Sequence, residues 1–408
     1  MSRTCLIVSM ICTWTLTATA ADPPKPVVLT PEAIKLHGEC LLIDGHNDLP
    51  WELRTKAGLS FHDIDVAKAQ PKLHTDIPRL RKGNVGAQFW SAYVPADTNK
   101  KGTAVRMTLE QIDVIHTLIK RYPNDFELAL GTDDIVRIRK AGKIASLIGV
   151  EGGHGIDNSL GALRMLYKLG VRYMTLTHSE TLDWADSATD APKSNGLSPF
   201  GVQVIEEMNA LGMMVDLSHV SPDTMKASLK ASKAPVIFSH SSARGIADHP
   251  RNVPDDVLKL VKDNGGVVMI NFYSGFLVPE GARVMKKMFE VGRELRKKFP
   301  DEEQYKEAIR EYVKANDYPA GTVHTIVDHI ERVVKIAGID HVGIGSDFDG
   351  VPKLPAQMDD VSCYPYITQE LLNRGYKPDD IRKILGENLM RAFRGAEKVS
   401  REMTAGGK

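Results

Sequence analysis

The sequence predicts an α/β protein folded as a single (β/α)8 TIM-like barrel. Three observations carry that prediction. Eight short apolar runs recur along the chain, amphipathic helical patterns lie between them, and six of the eight runs end in a His or a carboxylate. Near-continuous apolar runs suit strands buried on both faces of a parallel sheet. Strands alternating with helices imply right-handed βαβ units, and eight such units close a barrel. A doubly wound open sheet is the alternative. It loses support because the chain has no G-x-G-x-x-G after its first strand and no phosphate-binding Gly-Lys-Ser/Thr loop.

The expected strands cover 41–44, 85–93, 145–150, 173–177, 213–217, 236–239, 266–271 and 342–345. Helical spacing of apolar residues marks 105–121, 132–141, 160–169, 199–211, 222–231, 254–262 and 322–337. Ser198-Pro199 and Ser221-Pro222 are start signals, an oxygen that caps followed by a ring that presets the first helical φ. Two segments exceed a minimal barrel. Residues 279–318 are dense in charge, and the spacing of Met288, Val291, Leu295 and Phe299 predicts a solvated amphipathic helix with no binding motif. Further helices are expected after Gly350, ending near Arg394, with 400–408 frayed. No linker or internal repeat divides the chain, so one barrel domain is expected, within 21–408 and with its core from about Pro26 to Val399.

Ahead of that domain, Arg3 precedes an apolar stretch from Leu6 to Leu16, and Ala18-Thr19-Ala20 forms a small-x-small cleavage site. This is the pattern of a secretory signal peptide over residues 1–20, so the protein is expected to be exported, periplasmic or secreted. The apolar stretch is too short to span a bilayer, and Asp22-Pro23-Pro24 breaks the pattern soon after it. Cys5 and Cys12 leave with the signal, and the distant Cys40 and Cys363 define no disulfide framework. Composition is that of an ordinary globular protein. Of 408 residues, 42% are hydrophobic and 25% charged, which excludes a disordered or collagen-like chain. Lys+Arg and Asp+Glu are each 52, so no basic excess points to nucleic acid or to an anionic membrane surface.

The ends of the strands hold the chemistry. Strand one ends in Asp44-Gly45-His46-Asn47-Asp48, strand three in Glu151-Gly152-Gly153-His154 and strand four in His178-Ser179. Strand five ends in Asp216-Leu217-Ser218-His219, strand six in His240-Ser241-Ser242 and strand eight in Asp347-Phe348-Asp349-Gly350. In a barrel these ends converge on one face, where active sites are built. His46 and Asp48 are two apart, so on an extended strand they share a face and can bind one metal from one side. His219 and His240 come from neighbouring strands and can bind a second. Glu151 lies between the two pairs, and a carboxylate with two oxygens can bridge two metals. Imidazole with carboxylate suits Zn²⁺ best, with Mn²⁺, Co²⁺ or Fe²⁺ as alternatives. Two metals about 3.5–4 Å apart would share a hydroxide and polarise a carbonyl. Asp44 and Asp216 are expected to support or orient these residues, and His154 to be structural.

This ordered set resembles the membrane dipeptidase (renal dipeptidase) family of zinc peptidases, within the wider metal-dependent amidohydrolase group. The segments that carry the likeness are Asp44-Gly45-His46-Asn47-Asp48-Leu49-Pro50-Trp51, Gly149-Val150-Glu151-Gly152, Leu176-Thr177-His178-Ser179, Asp216-Leu217-Ser218-His219, Phe238-Ser239-His240-Ser241, Arg251-Asn252-Val253-Pro254-Asp255 and Gly345-Ser346-Asp347-Phe348-Asp349-Gly350. The resemblance implies two Zn²⁺ per subunit, one held by His46 and Asp48, the other by His219 and His240, and both bridged by Glu151. It implies that Asp347 takes a proton from the bridging hydroxide and delivers it to the leaving amine. It places His178 at the oxyanion or scissile carbonyl, and Arg251, assisted by Asn252, at the substrate's carboxylate. Trp51 and Tyr273 are candidates for the pocket wall.

A dipeptidase acting on L-L or L-D dipeptides, with β-lactams as further amides of similar geometry, is therefore the expected function. The family implies a homodimer. The mammalian members end in a hydrophobic tail for a lipid anchor, whereas this chain ends in Met403-Thr404-Ala405-Gly406-Gly407-Lys408, so no stable membrane anchor is expected. The loop Glu180-Thr181-Leu182-Asp183-Trp184 differs from the mammalian sequence and leaves substrate preference open. An N-acyl-D-amino-acid deacylase, or another amidohydrolase on the same dimetal site, is the alternative function.

Overall fold

A computed structural model describes residues 24–58, 61, 63–299 and 302–406; the expected signal segment lies outside the described residues. Nine strands form one parallel sheet: β1 (Leu42–Asn47), β2 (Val85–Tyr93), β3 (Phe126–Leu128), β4 (Ile144–Glu151), β5 (Val171–Thr175), β6 (Met214–Asp216), β7 (Ile237–Phe238), β8 (Val267–Ile270) and β9 (Val342–Ile344). Eight of them close a barrel in the order β1–β2–β4–β5–β6–β7–β8–β9, with β9 returning to β1. All eight expected runs contribute a barrel strand. The ninth, β3, was not expected. It shares one edge of β4 with β5, pairing Phe126 with Ile144 near the start of β4, whereas β5 pairs from Ile148 onward. Three residues are too few to show a periodicity.

Every residue of β1 and β4 is buried, as a strand between a barrel interior and a helical layer requires. Alternate residues separate into two cores. Leu42, Trp90, Ile148, Met174 and Phe238 pack outward against the helices. Ile43, Phe89, Leu147, Tyr173, Ile237 and Met269 fall in a second cluster with Leu389, Met390 and Phe393 of the last helix, Asn388–Gly406. That helix covers the N-terminal rim of the barrel. Its Asn388 amide donates to Ile339 and Val342, Arg391 to Gly265, and Ser400 to Ala210, residues at or before the starts of β9, β8 and β6. The expected fraying from residue 400 is thereby corrected for 400–406, which continue the helix.

The capping signals act as expected. Ser198 accepts from Gly201 N and Ser221 from Thr224 N, each ahead of a Pro at the first helical position. Three early helices went unread: Pro31–Glu39, Leu49–Ala57 and Ile77–Lys82. Thr30 and Asp76 cap two of them, but their short apolar patterns show little period. The charged segment folds into two helices, Pro279–Lys298 and Glu302–Ala315. At the opposite rim, Gly345 lets β7 and β9 approach, since a Cβ there would overlap the Ser239 carbonyl oxygen. Among the described residues no helix is long and apolar enough to cross a membrane, and Cys40 and Cys363 are free thiols.

His329 ties the helix Val323–Ala337 to the loops above it. Its Nδ1 accepts from Ala243 N at 3.0 Å and its Nε2 donates to Leu277 O at 2.9 Å, so the ring is neutral. Burial lowers its pKa from 6.5 to about 4. The unfolded chain takes up this proton first as pH falls. The stabilisation is therefore full above pH 6.5 and is lost progressively down to about pH 4, by ~2–3 kcal/mol from this residue alone. Urea unfolding of metal-free protein at pH 7 and pH 4.5 should show His329→Gln losing less stability than wild type between those two pH values, by that amount. Equal losses in the two proteins would exclude this role.

Candidate active site

The C-terminal ends of the strands bring the histidines and carboxylates together at the base of one cavity of about 780 Å³. His46 and Asp48 lie at the end of β1, with His46 Nε2 3.2 Å from Asp48 Oδ2. Glu151, the last residue of β4, divides its carboxylate between two groups. Its Oε2 lies 3.6 Å from His46 Nε2, and its Oε1 lies 3.0 Å from His219 Nε2 and 3.4 Å from His240 Nε2. His219 and His240 present their Nε2 atoms to each other at 2.9 Å. Among the described residues the side-chain donors fall into three overlapping groups able to hold an ion: His46–Glu151–His240, Glu151–His178–His219 and His46–Asp48–Asp347.

Hydrogen bonds behind the site select the ring nitrogen that faces it. The Tyr173 hydroxyl donates to Gly45 O, so it accepts from His46 Nδ1 at 2.9 Å and leaves Nε2 bare. Ser239 Oγ donates to Asp216 Oδ2 at 2.6 Å, so it accepts from His240 Nδ1 at 2.8 Å, with the same result. Asp216 thus orients His240 through Ser239. Asp44 accepts from Ser346 N at 2.8 Å and Ser346 Oγ at 2.6 Å, joining β1 to β9 in the supporting role expected of it. His154 Nε2 donates to Val94 O at 3.1 Å and packs behind the site, as a structural residue does.

The electrostatics leave this cluster one charge type short. Asp48, Glu151 and Asp347 are all buried. Burial pushes Glu151 and Asp347 up, against the pull of His46. Burial would lower His46, but with no cation beside them Asp48 and Glu151 push it up to about 10, and a cation on Nε2 would take the place of that proton. Burial, reinforced by Arg251 and neighbouring imidazoles, holds His219 and His240 well below the usual range, in the neutral form that ligates. His46 Nε2 and Asp48 Oδ1 are buried with no hydrogen-bond partner. Unpaired buried acceptors beside three carboxylates fit divalent cations in their midst. His219 and Asp347 also hold left-handed backbones, φ +68° and +65°, conformations a non-glycine residue keeps only where surrounding structure enforces them.

Around this floor, Asp347 Oδ2 accepts from Asn271 Nδ2 at 2.7 Å. Arg251 is 2% exposed, and its Nη1 has no partner. His178 lines the cavity beside Tyr93, with ring centroids 4.9 Å apart, and burial lowers it to about 3. Trp51 and Tyr273 are in the wall. Asn252 is not. Its amide donates to Ala247 O at 2.8 Å and to Phe276 O at 2.7 Å, so it braces the loop that carries Arg251, which corrects its expected contact with substrate. Sequence reasoning missed Tyr93, Asn271, Ser239 and Tyr173. Tyr93 and Asn271 end the two runs that carry no His or carboxylate, and a wider search for any polar strand end would have found them.

Residues 31–406 match the family described as membrane dipeptidase, peptidase family M19. The dipeptidase verJ of Clonostachys rogersoniana is 42% identical over 386 residues, 92% of this chain and 89% of that protein. The crystal structure of the probable dipeptidase PvdM from Pseudomonas aeruginosa aligns with a TM-score of 0.78 at 26% identity, over 90% of this chain and 98% of that one. A metallopeptidase from Rhodobacter sphaeroides, liganded with a phosphinate mimic of L-Ala-D-Ala, aligns with a TM-score of 0.71 at 21% identity, over 88% and 99%. The family match across nearly the whole barrel and the metal-ready cluster at its mouth agree: the chain belongs to the membrane dipeptidase family, M19, and is a metallo-dipeptidase of it.

Proposed function

We propose that the protein cleaves dipeptides with a free carboxylate, in L-L or L-D configuration, at a site that holds two zinc ions. The observation that carries this reading is the division of Glu151, one oxygen toward His46 and the other toward His219 and His240. In it, His46 and Asp48 would hold one ion and His219 and His240 the other, with Glu151 available to both. Zinc suits a site of imidazoles and carboxylates. When bound, the pair of ions supplies Lewis acidity and a nucleophile at neutral pH.

The chain's own groups do the rest. Arg251 offers a buried guanidinium with its Nη1 unpaired, which binds the substrate carboxylate and fixes the dipeptide's direction. His178, kept neutral by burial, donates a hydrogen bond to the scissile carbonyl oxygen. Asp347, raised by burial and steadied by Asn271, accepts a proton at a carboxylate oxygen and returns it to the leaving nitrogen. The mimic of L-Ala-D-Ala held by the Rhodobacter sphaeroides protein supports the L-D configuration among these substrates. The Arg3, Leu6–Leu16 and Ala18-Thr19-Ala20 pattern supports export of the mature chain.

Zinc-loaded protein should hydrolyse L-Ala-D-Ala and L-Ala-L-Ala and leave N-acetyl-D-Ala intact. Cleavage of the acetylated compound alone would move it to the deacylases. Asp347→Asn should lower kcat by ~10²–10⁴-fold while bound zinc, measured by mass spectrometry, stays at two per chain. Glu151→Gln should lose zinc and activity together; full zinc retention would remove Glu151 from the bridge. Arg251→Met should lower kcat/KM for free dipeptides by at least ~30-fold, chiefly through KM, because it leaves a buried carboxylate without a partner.

A further inference from the structure

The cavity is much larger than two alanine residues require. Its volume of about 780 Å³ lies in the range, roughly 300–1,000 Å³, that encloses drug-sized molecules. The polar donors occupy the floor. Much of the remaining surface is apolar, and part of it lies on the Arg251 side. Phe276, in the short helix after β8, sits 5.4 Å from the Arg251 guanidinium. The helix Pro279–Lys298 adds Met285, Met288 and Phe289, and the helix Glu302–Ala315 adds Ile309 and Val313. The spacing 285, 288, 289 sets one face of a helix. The amphipathic helix expected to be solvated turns that face to the cavity.

We infer that this wall is a subsite for a large apolar side chain on the carboxyl-terminal residue of the substrate, and that the helices Pro279–Lys298 and Glu302–Ala315 form the element that selects it. The inference rests on the dipeptidase reading, which places the substrate carboxylate on Arg251. The carbon bearing that carboxylate also bears the side chain, so the side chain emerges beside Phe276. The leaving nitrogen is attached to the same carbon and faces Asp347. The amino-terminal residue then lies across the floor, toward Trp51 and Tyr93, whose rings meet edge to face at 5.0 Å.

The wall has a fixed back and an open front. Tyr273 Oη bonds Met285 Sδ at 3.1 Å and accepts from Tyr318 Oη at 3.0 Å, which anchors the helix pair to the barrel. Met288, Phe289, Ile309 and Val313 are only half-buried, so apolar surface there stays wet until something covers it. Thioethers among the aromatic rings adapt to different shapes, which suits a range of large side chains.

The test is kcat/KM for L-Ala-X, with X as Gly, Ala, Leu and Phe, on the zinc-loaded mature chain. Burying a phenyl group should raise kcat/KM at least ~10-fold from X = Ala to X = Phe. The Met288→Ala/Phe289→Ala double variant, folded as judged by circular dichroism, should compress that ratio below ~3-fold. Leu260→Ala, on an exposed helix elsewhere, should leave the ratio in place. A flat series in wild type, a rise that follows the amino-terminal residue instead, or a ratio unmoved in the double variant would overturn the inference. If no dipeptide is cleaved, the dipeptidase reading fails and the wall is judged by calorimetry. Phenylpropanoate should then bind at least ~10-fold more tightly than propanoate, with the advantage lost in the double variant; equal binding would overturn the subsite.

Discussion

Everything at the mouth of the barrel depends on the sharing of one buried carboxylate. Glu151 stands between His46 on one side and His219 with His240 on the other. Asp48 and Asp347 lie close by, also buried. Three carboxylates in a poorly solvated space repel one another, and burial alone favours their neutral forms. Arg251 offsets part of that charge, and His46 another part. Cations between the donors would displace the His46 Nε2 proton and satisfy what is left, including the unpaired Asp48 Oδ1. The cluster is therefore costly to fold and strongly predisposed to bind metal.

The barrel holds that arrangement through two matching devices. Asp44 accepts from the backbone N–H of His46, and from the N–H and hydroxyl of Ser346. Asp216 accepts from the backbone N–H of Ser218, and from the N–H and hydroxyl of Ser239. Each aspartate caps the turn two residues on and clamps a serine from another strand end. One clamp joins β1 to β9 and so sets His46 beside Asp347. The other joins β6 to β7 and so sets His219 beside His240. Fully satisfied buried networks of this kind hold side chains in one geometry. Left-handed His219 comes directly after the Asp216–Ser218 turn, and left-handed Asp347 directly after the clamped Ser346.

The helices Pro279–Lys298 and Glu302–Ala315 contribute to the site in a different way. They carry no residue of the metal cluster. They turn an apolar face toward the cavity and leave their charges outward, so the pocket gains volume and hydrophobic surface without any change at its floor. In barrels of this class, chemistry resides at the strand ends and selectivity in the segments after them.

The barrel, its eight strands and the identity of the clustered His, Asp and Glu residues were all legible in the amino-acid sequence. Buried parallel strands leave long apolar runs, and polar residues at their ends stand out against those runs. The likeness to the dipeptidase family rested on the same residues. The sequence did not show β3, the early helices, or the last helix continuing past Ser400. Three residues carry no period, and a helix end is held by partners far along the chain, such as Ala210 for Ser400. Nor could it separate Arg251 from Asn252. They are adjacent polar residues, and only packing sends one into the cavity and the other into the loop behind it. Tertiary packing likewise settles which oxygen of Glu151 faces which histidine, and whether the apolar face of the helix Pro279–Lys298 meets solvent or the cavity. A hydrophobic period states that a face will be covered, and only the fold decides by what.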